Sequence, residues 1–391
     1  MNTTETRRQS PNTPAPEDDE DHEEHPPRLD VSARNLAAFA VFVVLAIVAL
    51  YFLLPQVAGL EETWRRLEDG SRIWLGLAVV FTVGMFAGYV LLFQGVFARA
   101  AEGKLTLRES YQVCMAGLAA TRLFSAGGAG GIVLTAWAMR GAGLRRRVVA
   151  DKTISFLVLT YLVYTTCLVV FGYGLRFGVF PGPDPFTMTV IPATLALIAT
   201  VLGLSIAFVP TDFERRLQTL ALRHGRTGRM AQRLATLPAT ASSGIRDALN
   251  HLRSKDPALL GAVAFWACQI AVLWACFEAF GESPPLAVLV LGFFIGMLGN
   301  LLPLPGGIGG VDGGMIGAFI AFGVDPAGAI VAVLAYRFFA FWLPIAPGAV
   351  AFATLRRTVA GWEAEDAGEV ARPVRRKRTP AGQHGLCHQY S

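Results

Sequence analysis

The chain has 391 residues, 53% of them hydrophobic and 16% charged, with a mean hydropathy of +0.47. That is too apolar for a water-soluble globular protein of this length and excludes a soluble enzyme. The net charge of +5 argues for membrane orientation and against nucleic acid, because the basic residues sit between long apolar runs.

Residues 1–35, with PNTPAPEDDEDHEEHPP at their centre, bury too little apolar surface to offset chain entropy and read as a disordered acidic arm. Their acidity is the reverse of a signal peptide's basic start. The first span is expected from Leu36 to Leu54, about 19 residues, enough to cover a hydrocarbon core of about 30 Å. Five further spans follow at Ile73 to Phe97, Thr153 to Leu175, Thr187 to Val209, Ala258 to Phe280 and Ala327 to Phe352.

Two other segments, Glu109 to Gly143 and Leu286 to Gly323, are apolar but broken by glycine. After the glycines the apolar stretches, Ile132 to Met139 and Gly313 to Gly323, reach only roughly 12 and 16 Å as helices, about half the hydrocarbon thickness. They are expected to be re-entrant hairpins shielded by neighbouring helices.

Arg99, Lys104 and Arg108, then Arg140, Arg145, Arg146, Arg147 and Lys152, then the run from Arg215 to Lys255, mark cytoplasmic segments. Gly178 to Phe186 and Gly281 to Pro285 carry no basic residue and face outward. The expected architecture is an all-α membrane domain over residues 36–356, with six spans, two hairpins entering from opposite sides and both termini cytoplasmic. A basic connector at 210–257 joins its halves and is expected as amphipathic helices on the inner leaflet or as a plain link. A basic tail follows at 357–391.

The halves are alike: SAGGAGGI at Ser125 to Ile132 aligns with LPGGIGGV at Leu304 to Val311. This is the inverted-repeat pattern of secondary transporters, whose sites lie near the midplane at broken helices. Gly127, Gly128, Gly130, Gly131, Gly306, Gly307, Gly309 and Gly310, with Pro303 and Pro305, suit hairpin tips; close helix packing is the other reading. A helix starting after such a tip presents unpaired N–H groups, which favour a phosphate or carboxylate.

Charges within the apolar regions are few. Arg337 lies near the middle of the last span and is expected either to bind the anion or to pair with Asp312; Arg122 lies just before the first glycine string, at a hairpin mouth. Asp312 is a candidate ion-pair partner, helix cap or proton carrier, while Asp151 and Lys152 read as an interfacial pair. Four of the five cysteines fall in apolar segments, and the histidines all lie in polar ones. Neither a metal site nor a disulfide framework is implied. No nucleotide, hydrolase or metalloprotease motif is present, so neither an enzyme nor a cofactor is expected.

PLPGGIGGVDGG, the short apolar helix after it, and FGVDPAGAIVAVLAYRF with Tyr336 and Arg337 resemble the flippase-like family named for the membrane region of lysylphosphatidylglycerol synthase. ADKT at Ala150 to Thr153 matches more loosely. The resemblance implies an integral protein of the bacterial inner membrane that moves lipids with polar head groups. The synthase adds a soluble aminoacyl-transferase domain, and only 35 residues follow Arg356 here. The family commonly has Glu where Asp312 stands, and a proline and a charge where this chain has Ala126 and Ile132. With the residues, it points to transbilayer movement of an anionic phospholipid or a polyprenyl-phosphate-linked glycolipid. Two other readings stand beside it: a transporter of a small soluble anion, and a scaffold for a membrane lipid synthase or glycosyltransferase.

Overall fold

The computed structural model describes residues 70–101, 103–124, 129–208, 228–301 and 307–370. The expected first span, the acidic arm and the chain beyond residue 370 lie outside them. Among the described residues, regular structure is helical throughout: α1 (Arg72–Phe97), α2 (Leu107–Phe124), α3 (Ala129–Gly141), α4 (Arg146–Arg176), α5 (Phe186–Ser205), α6 (Gly228–Arg253), α7 (Ala258–Ala279), α8 (Leu286–Met297), α9 (Gly310–Ala321), α10 (Pro326–Arg337) and α11 (Ile345–Val370). A π-helical turn, Phe338–Trp342, stands between α10 and α11.

Five segments are long and apolar enough to cross a membrane: α1, α4, α5, α7 and Pro326–Ala364. Each coincides with a span expected from hydropathy. The last departs from expectation in two ways. It is broken in the middle, and α11 runs on past Arg356 with Val359 and Trp362 buried, so the helix continues into what the sequence suggested was tail.

Packing begins with glycine. α1 and α7 run antiparallel and nearly touch along their backbones: a Cβ on Gly88 would lie 2.7 Å from Phe265 N, and one on Gly261 would lie 2.5 Å from Leu92 N. Ser71 N–H donates to Ala279 O at 2.9 Å and Trp74 meets Trp274 edge-on at 5.0 Å, closing the far end of the pair. Each of these two helices precedes one glycine-broken segment.

Those segments form antiparallel helix pairs. α2 and α3 approach at Gly117 and Gly131, α8 and α9 approach at Gly296 and Gly314, and the 3-10 turn Leu298–Leu301 after α8 meets α9 at Gly299 and Gly310. Each pair leans on the helix that follows the other. α2 packs on α11, with Gly348 against Met115 O and Ala119 and with Thr358 Oγ1 donating to Gln112 Oε1 at 2.9 Å. α8 packs on α4, where Tyr164 O–H donates to Phe294 O at 2.7 Å. The two halves therefore use one packing scheme. At 13 and 12 residues, α3 and α9 start earlier than their apolar stretches suggested and reach about 20 and 18 Å.

Arg99 just after α1, Lys152 in α4, the end of α6 and Asp256 just before α7 come together through ion pairs. Asp151 and Lys152 do not pair with each other: Lys152 Nζ reaches both carboxylate oxygens of Asp247, at 2.9 and 3.0 Å, and Asp151 accepts from Ser243 at 3.1 Å. The described end of α6 is thus held against α4, with Ile245 and Ala248 buried, which is a packed connector rather than a helix lying free on lipid. Buried His251 stands between Asp247 and Asp256, and Arg99 Nη2 lies 3.1 Å from Asp256.

Burial would raise the Asp256 carboxyl, but hydrogen bonds from Ala258 N–H and His251, with the charges of His251 and Arg99, hold it below the usual carboxylate range. A depressed folded-state value stabilises the fold above the unfolded value of about 3.9, and that stabilisation is lost as pH falls through the folded one. Asp256→Asn is accordingly expected to lower the melting temperature at pH 7. The difference from the parent should shrink in melts recorded below about pH 4.

Candidate functional site

Arg337 closes α10, and the chain there cannot continue as an α-helix. Pro344 has no N–H to offer Ala340 O four residues back, and Pro347 repeats the defect for Leu343 O. The backbone responds with the π turn, in which Leu343 N–H donates to Phe338 O at 2.9 Å. Arg122, at the end of α2, donates to the carbonyl that Pro344 leaves without a donor, Nη2 to Ala340 O at 2.7 Å, and to its neighbour, Nη1 to Phe341 O at 3.0 Å. A cation at a helix C-terminus is also favoured by the helix dipole.

Asp312 stands in the first turn of α9. One carboxylate oxygen accepts from Gly309 N–H at 3.0 Å, capping the helix. The other, Oδ1, lies 2.5 Å from Arg337 Nε without meeting hydrogen-bond geometry, and is an ion-pair contact. Both side chains are about nine-tenths buried, at 11% exposure each. Pairing and capping thus fall to one residue, two of the roles the sequence left open.

The arginines meet at a ring. The Arg337 guanidinium sits 4.5 Å and that of Arg122 5.2 Å from the Phe341 centroid, close enough for the quadrupole to attract both. Among the described residues, Arg122 has carbonyl oxygens and this ring as partners and no carboxylate. Among the described residues, Arg122 and Arg337 share this ring and Asp312 is the carboxylate in contact with either, where the ends of both helix pairs approach the break.

The expected glycines divide. Gly127, Gly128, Pro305 and Gly306 lie outside the described residues. Gly307 and Gly309 have φ of +66° and +80°, the left-handed conformation a tight turn into α9 demands, and Gly310 begins that helix. Gly130 and Gly131 are not turn residues. They lie in the first turn of α3, where a Cβ on Gly130 would stand 2.7 Å from Ala120 O and one on Gly131 would collide with Thr121 Oγ1. They allow close packing of α3 on α2, and Gly131 N–H donates to Thr121 Oγ1 at 2.9 Å. One of the free donors expected at this helix start is therefore taken.

Phe341, the π turn and the buried pair of Tyr336 O–H donating to Gln269 Oε1 at 2.9 Å were not identified from sequence. Pro344 and Pro347 inside an apolar run were the signal for the break. Among the described residues no group of three metal-ligating side chains occurs.

A family model described as lysylphosphatidylglycerol synthase TM region matches residues 36–348. The chain is also similar to a UPF0104 membrane protein of the archaeon Methanothermobacter thermautotrophicus, 24% identical over 330 residues, which span 80% of this chain and 94% of the relative. Two more matches to proteins of that name and organism are 32% identical, one over 124 residues (30% of this chain, 37% of the relative) and one over 91 (23% and 26%).

Proposed function

The chain belongs to the lysylphosphatidylglycerol synthase TM region family, and from that membership and the two arginines on Phe341 we propose that it moves an anionic lipid head group between leaflets. The cargo is a phospholipid or a polyprenyl-phosphate-linked glycolipid, and the chain moves it without altering it. The observation that carries this reading is a second arginine beside a broken helix with no carboxylate partner among the described residues. An ionised side chain at the bilayer centre costs about 2.5–3.5 kcal/mol on insertion scales, so a second arginine is retained there at a cost that an anionic guest would offset.

In this reading α2–α3 and α8–α9 are re-entrant hairpins of an inverted repeat, since α3, α8 and α9 are too short for a hydrocarbon core of about 30 Å. The face that gathers Arg99, Lys152 and the end of α6 is cytoplasmic, following the bias of basic residues. A lipid is favoured over a soluble anion by exposed apolar surface beside the break: Phe338, next to Arg337, is 53% exposed and Leu343 is 40% exposed. In the proposal the acyl chains lie against these two side chains while the phosphate reaches inward.

Purified protein in liposomes is expected to equilibrate fluorescently labelled phosphatidylglycerol between leaflets faster than protein-free vesicles do, and to leave labelled phosphatidylcholine slower. If every anionic lipid tried, including a polyprenyl phosphate, stayed at the protein-free rate, the proposal fails.

A further inference from the structure

We propose that Pro344 is a positioning residue for Arg122: by withholding an N–H from Ala340 O, it creates the acceptor that orients the guanidinium toward the site. An uninterrupted helix would consume the Ala340 and Phe341 carbonyls internally and leave nothing on α10–α11 for Arg122 to hold. Pro344 frees the first, Arg122 reaches the second beside it, and the two N–H···O bonds at 2.7 and 3.0 Å fix the guanidinium plane by one edge. Arginine has five N–H donors in a rigid fork. With two committed to carbonyls, the remaining three are held in a fixed direction instead of sweeping through rotamers.

The Phe341 ring, 5.2 Å from Arg122 and 4.5 Å from Arg337, blocks one face of the fork. The α2–α11 interface sets the distance: Gly348, one turn beyond Pro344, lies against Ala119 and Met115, about one and two turns before Arg122. A missing hydrogen bond in one half of the chain thereby orients a charge contributed by the other. The use of that charge for a lipid phosphate rests on the function proposed above; the link between Pro344 and Arg122 does not.

The test is a double-mutant cycle with Pro344→Ala and Arg122→Ala, read in two ways on full-length protein. In thermal melts, Arg122→Ala is expected to lower the melting temperature clearly in the parent and by less than about half as much in the Pro344→Ala background, because the restored N–H already satisfies Ala340 O. Equal losses in both backgrounds would overturn the proposal. In vesicles, Pro344→Ala is expected to raise the mole fraction of phosphatidylglycerol needed for half-maximal exchange about tenfold, with Arg122→Ala adding nothing further. Coupled melts without any effect of either variant on lipid exchange would keep the positioning link and overturn the use of Arg122 for the phosphate, whereas exchange at the protein-free rate in the parent would overturn the lipid reading itself. If Pro344→Ala does not fold, Pro344→Ser restores the same N–H and takes its place in the cycle.

Discussion

Arg337→Ala is expected to cost about 3–5 kcal/mol of stability, the range for removing one partner of a buried ion pair, and to abolish head-group exchange. The stability loss comes from Asp312, whose Oδ1 would keep its buried position beside α9 with no cation 2.5 Å away. Since loss of fold alone would stop transport, the informative variant is Arg337→Ala combined with Asp312→Asn. Asparagine still offers a carbonyl oxygen to Gly309 N–H and carries no charge to strand. The double variant should recover most of the melting temperature, as neutral replacements of buried ion pairs commonly do. It should recover none of the lipid exchange if Arg337 faces the phosphate. Recovery of both would reduce Arg337 to an ion-pair partner.

Hydropathy located the five described spans because apolar content over about 20 residues is a local property. Ile73 to Phe97 and Ala258 to Phe280 match α1 and α7 to within a residue at each end. α4 starts at Arg146, well ahead of the expected Thr153, because its first turns are basic and packed on α6; composition marks where a helix is greasy, not where it starts. The α10–α11 break was missed for a related reason. Its composition is apolar throughout, and only Pro344 and Pro347 signal that the hydrogen-bond ladder is interrupted.

The same limit applies to the charged groups. Asp312 and Arg337 stand out in sequence as charges in apolar surroundings, so their importance is legible though their distance is not. Arg122 stands out equally, but its partners Ala340 and Phe341 are more than two hundred residues away and are backbone carbonyls, which no side-chain pattern encodes. For the glycines, one string of letters served two physical ends. At Gly307 and Gly309 the requirement is a positive φ; at Gly130 and Gly131 it is room for a neighbouring backbone. Sequence shows the absent side chain and not which of these needs it.

That distinction makes the second large effect assignable to particular glycines. Gly261→Ala is expected to destabilise the protein by about 1–3 kcal/mol, the cost of overfilling a packed interface, and Gly261→Leu to prevent stable expression. The added Cβ would meet Leu92 N at 2.5 Å and Gly88 O at 2.7 Å. Both are backbone atoms, so no side-chain rotation relieves the clash and α1 must move away from α7. Gly76, on the same helix α1, has nothing within 4 Å of its would-be Cβ. Gly76→Ala should therefore be neutral or stabilising by up to about 1 kcal/mol, the helix preference of alanine over glycine. The melting curve of Gly261→Ala should move down and that of Gly76→Ala should stay in place or move up. Because α1 leads into the pair that carries Arg122 and α7 into the pair whose Asp312 holds Arg337, separating them is expected to shift Arg122 relative to Arg337. Gly261→Ala protein that still folds is expected to exchange lipid more slowly than its residual stability alone would predict. Equal behaviour of the two alanine variants would mean that the backbone contact between α1 and α7 does not set the geometry of the site.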